Sequence, residues 1–492
     1  MKFRDKKLLY ISRFELLILS ALLLLLVCIS ISRVREVIVI SYELLFQKDL
    51  DNIWWSSYIF NTFFMPLSLV TIYYIDYLFL IRNKNIREIF AVNILLFWIV
   101  SNHYIRLLDD YQGYYIPWDN LDFIQPITDG YGTGSLYGTN YPPLAVILFR
   151  WLHQFVISSD GKENYIAITY IQNLFLIFVV LCLAFLFHRW IREFKYSYFY
   201  VGILFLTSSI LFCFCRMNIM FIALIFTMFF LLGYRNTNIF VRFFSLLSLA
   251  IAANIKYFPA IFGLLLIKEK RWKEGVVCAF LGIVLFLSPM LIPHNNVLVS
   301  NSYNNISEDK DLEEVENEGN EIQLLIRATA EFGNSSRTLG RTLSTKSIVY
   351  NILKPFGIEK ENSLTVGNII LIVNSVFLLF GFFVVPRRDY ELLILSVFAI
   401  LLVPTSNWYF TMFLLIPFLE FLKIKEYSRL DALNMLIWID IFTYRWGFCN
   451  KFYLQDWREL LLLWIFIIFV ILKEAKNKIR EKKSEGCNFS WW

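Results

Sequence analysis

Cysteine, histidine and charge are all scarce in this chain. Its 492 residues include seven Cys, of which five (Cys28, Cys182, Cys213, Cys215 and Cys278) lie in apolar segments, while Cys449 and Cys487 are expected on opposite sides of a membrane. No spacing among them suits a disulfide framework or a zinc site. The four His (His103, His153, His188 and His294) keep no metal-ligand spacing. There is no glycine-rich phosphate loop, no dinucleotide-binding fingerprint and no internal repeat. Only 17% of residues are charged, against 58% hydrophobic and 18% aromatic, with mean hydropathy +0.57. A soluble domain has no way to hide that much apolar surface, so the composition specifies an all-α polytopic membrane protein. The net charge of +6 comes from Lys and Arg spread over many short loops, which report orientation rather than a nucleic-acid partner.

What the chain has in abundance is long apolar runs. Those at 16–32, 166–187, 276–292, 366–385 and 460–472 approach or reach spanning length. The first has basic residues before it and no small-residue cleavage site after it, the pattern of a retained signal-anchor. With MKFRDKK in the cytoplasm, alternation places the basic stretches 82–88, 188–195, 268–274, 386–388 and 423–429 inside, together with the tail after Lys473; Arg33 and Arg35 run against the trend. The expectation is about 14 transmembrane helices with interfacial helices, both termini cytoplasmic. In domain terms this is one multi-helix membrane domain over 1–473, an outer loop at 103–163, a larger outer loop at 294–363 and a basic cytoplasmic tail at 474–492.

Three segments interrupt the regularity. Residues 109–144 carry five Asp and no Lys or Arg, a watery stretch beside the membrane where a carboxylate can take a proton from an incoming hydroxyl. Residues 142–158 open with Pro at a helix start. They put Leu144, Ile147, Leu148, Trp151, Leu152 and Phe155 on one face, with Arg150, His153 and Gln154 opposite, which predicts a helix lying in the outer interface. Residues 243–267 must leave and return between two basic loops in about 25 residues, half what two full helices need. Lys256 and Pro259 fall at their middle, which predicts two short arms meeting at a polar residue.

Several short motifs lie in order along the chain. Asp110-Tyr111 stands at the outer end of a predicted helix, followed by Ile116-Pro117-Trp118 and then Tyr141-Pro142-Pro143-Leu144 leading into the interfacial helix. Lys256-Tyr257-Phe258-Pro259 is followed by Arg271-Trp272, and Asn334-Ser335-Ser336 by Gly340-Arg341. A late hairpin carries Pro404-Thr405-Ser406-Asn407-Trp408-Tyr409. This series resembles the glycosyltransferase-C superfamily, membrane enzymes that take sugars from polyprenyl-phosphate donors. Within it, the series is most similar to the bacterial alpha-mannosyltransferase and glycosylphosphatidylinositol mannosyltransferase types. The likeness runs from about residue 90 to 425 in short, degenerate pieces. Arg216-Met217-Asn218 departs from it, standing where the family often has Gly-Gln before an Asn or Asp. Two predicted crossings, rather than one, precede the acidic stretch.

The resemblance implies Asp110 as general base, with Asp109 beside it to orient it or to oppose its ionisation. Asp119 and Asp122 read as solvated loop charges. A departing lipid phosphate needs cations. Lys256 is the first choice, because a lysine in an apolar stretch is costly unless paired. Arg341 and Arg337 offer the planar fork that fits phosphate oxygens, and Arg216 is a further option. Trp118, Tyr141 and Trp408 have rings suited to a sugar face as well as to an aromatic belt, and Asn218 completes the sugar and acceptor set. No cofactor is called for. A divalent metal on Asp109 and Asp110 would need further ligands that the sequence does not name.

The function expected from these readings is transfer of a hexose such as mannose, with inversion, from a polyprenyl-phosphate donor to a glycolipid or surface polysaccharide acceptor. The reaction would sit on the outer face of the cell membrane, or the lumenal face of the endoplasmic reticulum in a eukaryote, with membrane lipids as the other partners and no nucleic acid. The rival readings are a transporter or flippase of lipid-linked glycans, which calls for midplane charges and an internal repeat, and a polysaccharide polymerase built on loop arginines.

Overall fold

Inside a bilayer every backbone N–H and C=O must be satisfied within its own segment, so apolar runs fold as helices. The computed structural model describes residues 127, 141–156, 164–194, 197–205, 207, 209–210, 213, 217–288, 343–403, 408–424, 429–442 and 456–484. Among these there is no strand. In chain order the helices are α1 (Pro143–Val156), α2 (Tyr165–Trp190), α3 (Ser197–Leu204), α4 (Met220–Gly233), α5 (Ile239–Ile255), α6 (Leu264–Lys268), α7 (Trp272–Leu287), α8 (Thr345–Leu353), α9 (Lys360–Val384), α10 (Arg388–Leu402), α11 (Leu415–Leu422), α12 (Arg429–Phe442) and α13 (Asp456–Ser484). Short 3-10 turns lie at Phe258–Gly263, Lys354–Phe356 and Trp408–Leu414. Two of the described stretches, Asn173–Trp190 and Lys360–Val384, are long and apolar enough to cross a membrane, and five shorter helices are mostly apolar. The expected total of about 14 crossings draws on residues outside the described set, 1–126 above all.

The chain divides into two compact units, one comprising Tyr115–Phe383 with Arg387–Lys423. In this unit α4 is buried almost all round, through Met220, Phe221, Leu224, Ile225, Met228 and Phe230, as a helix apolar on every face must be. α5 runs back against it. A Cβ added at Gly233 would lie 3.0 Å from Ser245 Cβ and Oγ, so any larger residue would have to push α5 back by a few tenths of an ångström. α7 also packs on α5, where Asn254 Nδ2 donates to the Gly282 carbonyl at 3.0 Å. α10 is buried from Asp389 to Leu401 and packs on α11.

Other helices turn whole apolar stripes outward: Leu174, Ile177, Leu181 and Phe185 on α2, and Ile369, Ile372, Val373, Val376 and Phe380 on α9. Water does not tolerate stripes of that length, whereas lipid is the solvent they fit. The second unit comprises Met1–Tyr114, Val384–Pro386 and Ile424–Trp492. Its described helices, α12 and α13, pack on each other. α13 buries Leu463, Phe466, Ile467 and Val470, then turns basic after Lys473 and stays helical to Ser484, well into the expected tail.

Two local expectations meet different outcomes. α1 forms where predicted, but its packed face is Ala145, Val146, Phe149 and Val156, while Trp151 and Phe155 of the expected apolar face are 54% and 53% exposed. Both sides of such a helix are apolar, one against protein and one against lipid, so periodicity alone does not say which is which. The break inside 243–267 does occur. α5 ends at Ile255, Lys256 is extended (φ −146°, ψ 136°), and the chain restarts as the Phe258–Gly263 turn with Pro259 near its start.

Candidate active site

The extended joint after α5 frees the Lys256 side chain from the helix surface, and its ammonium lies 3.8 Å from the centre of the Tyr141 ring. Tyr141 immediately precedes the Pro142-Pro143 step that starts α1, where the Pro142 carbonyl accepts from Ala145 N at 2.9 Å. The ring is held edge-on by the fully buried Phe149, centroids 5.3 Å apart at 85°, and packs with Phe286 around Val146. Almost three turns along α1, His153 Nδ1 hydrogen-bonds the carbonyl of Ile127, a buried residue of the acidic stretch. One short helix and the residue before its start thus reach both the lysine joint and Ile127.

The joint is packed from the far end of the chain as well. Phe258 lies 4.7 Å from Phe410 and 4.5 Å from Phe413, both in the 3-10 turn that Trp408 begins. Thr411 of the same turn shares a 2.6 Å hydrogen bond with the buried Ser209. Asn218 is fully buried at the start of α4, where its Oδ1 accepts from Met220 N at 2.9 Å and its own N–H donates to Cys213 O at 3.1 Å. Met217 before it is left-handed at φ 47°, an uncommon conformation for a side-chain-bearing residue. The Asn218 side-chain carbonyl thus takes up the first backbone N–H of α4, a local role the sequence did not suggest. Asp109, Asp110, Trp118, Arg216, Arg337 and Arg341 lie outside the described residues. Among the described residues no three His, Cys, Asp or Glu gather as a metal ion would require.

At the opposite end of α5 the cations meet carboxylates. Arg235, after α4, is 2.5 Å from Glu269, which also accepts from the Tyr234 hydroxyl at 2.5 Å. Arg388 donates to Tyr234 Oη at 2.7 Å and pairs with Glu391 at 3.1 Å, and Lys268 pairs with Glu391 at 2.8 Å. Burial would raise the Glu269 carboxyl, but hydrogen bonds from Arg235 and Tyr234, with the charges of Arg235 and Arg388, hold it below the ordinary carboxylate value. Burial pushes the Tyr234 phenol far above its usual range, and the hydrogen bond to Glu269 keeps Arg235 charged. Three turns are tied into one network: 234–238, 268–271 and the start of α10. A second tie joins the end of α2 to the end of α11, where Trp190 Nε1 donates to Glu420 at 3.0 Å and Lys423 pairs with the same carboxylate at 2.6 Å. Sequence reading saw basic loops here and missed their acidic partners, although Glu269, Glu391 and Glu420 stand within or beside those loops.

Outward apolar stripes around a broken helix with a lysine at its joint are the features of a membrane-embedded protein. The family model described as Glycosyltransferase family 87 matches residues 139–417, more than half of the chain, and the chain belongs to that family. It is therefore a membrane glycosyltransferase of the glycosyltransferase-C kind. The match takes in Tyr141, Asn218, Lys256, Arg337, Arg341 and Trp408 and begins after Asp109, Asp110 and Trp118. No curated protein and no solved structure matches the chain.

Proposed function

We propose that this enzyme transfers a hexose, with mannose the first to test, from a polyprenyl phosphate to a glycolipid or surface polysaccharide on the extracytoplasmic side of the membrane. Asp110 takes the proton of the acceptor hydroxyl as that oxygen bonds to the anomeric carbon. The bond from that carbon to the phosphate oxygen breaks, inverting the centre and releasing polyprenyl monophosphate. Lys256, with Arg341 or Arg337, stabilises the charge gathering on the leaving phosphate. Asp109 orients Asp110, and Trp118, Trp408 and Asn218 border the sugar and acceptor. A dissolved nucleotide-sugar donor fits less well, since the chain has no phosphate-cradling glycine loop.

The observation that carries this reading is the contact of Lys256 with Tyr141, two motif residues distant in sequence that meet where a helix breaks. Family membership supports sugar transfer, and His153 of the helix that follows Tyr141 hydrogen-bonds the Ile127 carbonyl. The test is sugar transfer from a polyprenyl-phosphate hexose in membranes carrying Asp110→Asn, with Asp119→Asn as control. We expect a loss of about a hundredfold or more in the first and little change in the second. Normal turnover by stable Asp110→Asn protein would remove the base assignment. Lipid-linked glycan crossing the bilayer without sugar transfer would move the protein to the transporter class.

A further inference from the structure

We propose that the turn carrying Lys270, Trp272 and Lys273 holds the headgroup of an anionic phospholipid, whose acyl chains run along the exposed face of α7. The turn lies at the end of α5 opposite Lys256, and its occupant is a lipid of the bilayer rather than the sugar donor. α5 and α7 run side by side in the same direction. Arg242 pairs with Glu274 at 3.3 Å, Cys278 Sγ donates to Leu246 O at 3.5 Å and Asn254 Nδ2 to Gly282 O at 3.0 Å. Both helices therefore begin at one level. From that level Trp272, Val276, Phe280 and Ile283 form an exposed stripe down one face of α7. Phe240 and Phe244 are exposed near the start of α5. A tryptophan at the head of such a stripe stands where hydrocarbon gives way to headgroups.

Two cations stand at that border without a counter-charge. The nearby carboxylates are taken: Glu269 by Arg235, Glu274 by Arg242 and Arg271, Glu391 by Lys268 and Arg388. Lys270 and Lys273 are exposed and pair with no carboxylate among the described residues. Folding alone favours a lysine at neither place. Lys270 is left-handed at φ 58°, its N–H donating to Ile267 O at 3.0 Å while that of Arg271 donates to Leu266 O at 2.8 Å. This is the helix stop whose left-handed place glycine ordinarily fills, because a Cβ there crowds the backbone. Lys273 lies in the first turn of α7, at the end of the helix dipole that disfavours a cation. An anionic headgroup above an apolar stripe is the partner that matches both halves of this surface: phosphate for the lysines, acyl chain for the stripe.

The test titrates the full chain, purified in detergent, with phosphatidylglycerol and with phosphatidylcholine, and counts bound lipid by native mass spectrometry. The parent is expected to hold phosphatidylglycerol about tenfold more tightly or better. Lys270→Gly and Lys273→Gln should each weaken that binding about fivefold, and together about twentyfold, with phosphatidylcholine unaffected. Glycine suits the left-handed place, so the unfolding temperature of Lys270→Gly should equal or exceed that of the parent, which separates lost charge from lost fold. Arg192→Gln removes an exposed cation from the turn after α2 and should change binding by less than about twofold. Equal retention of the two lipids by the parent overturns the proposal, as does a double variant that keeps its phosphatidylglycerol. A loss in Arg192→Gln as large as that in Lys270→Gly would trace the preference to overall charge and overturn the site. Glycerol phosphate held as tightly as the whole lipid would assign the turn to a soluble anion and overturn the lipid.

Discussion

At one end of α5 Lys256 lies on the ring of Tyr141, and at the other Arg235 grips Glu269 while Arg388 joins Tyr234 to Glu391. The same helix separates two ways of handling positive charge. Carboxylates fix the cations of the turn network and neutralise them, which ties three turns together and leaves little field to spare. Lys256 lies instead against an aromatic face, which adds no charge of its own. The first arrangement suits a fold and the second suits a ligand, so substitutions at the two ends should separate stability from chemistry.

The largest separation is expected from Lys256→Gln, which should lower sugar transfer about a hundredfold, as loss of one transition-state donor does, with little change in thermal unfolding. Glu391→Gln should do the reverse. It leaves Lys268 and Arg388 short of a partner and should lower stability by about 2 kcal/mol, with unchanged turnover per folded molecule. Parallel losses of activity and unfolding temperature in both variants would erase the distinction. A smaller effect follows from pH. Glu269 titrates lower in the folded chain than its ordinary value of 4.5, so its contribution is complete above that value and fades as the pH falls through the folded one. The unfolding temperature of the parent should therefore fall more steeply below pH 4.5 than that of Glu269→Gln. The smallest change is expected from Asn238→Ala, which removes the acceptor for Phe240 N at the start of α5. It should lower stability by about 1 kcal/mol without altering donor binding at the far end.

Much of this arrangement could be read in the chain before folding. Apolar runs required helices, Pro142 and Pro143 marked the start of α1, and a 25-residue excursion with Lys256 and Pro259 at its centre had to break. The packed face of α1 was not legible, because hydrophobic periodicity cannot tell protein from lipid. The turn network was hidden for another reason: Tyr234, Glu269 and Arg388 become neighbours only when the ends of α4 and α6 meet the start of α10. The bond from Met220 N to Asn218 Oδ1 was hidden as well, a local geometry no residue count reveals. The contact of Tyr141 with Lys256 joined two separate guesses, one for the sugar and one for the phosphate.

The length of α5 carries a last consequence. Its 17 residues rise about 25 Å, while the hydrocarbon layer is about 30 Å thick. The helix alone is thus shorter than a full crossing, and the chain turns at Lys256 before completing one.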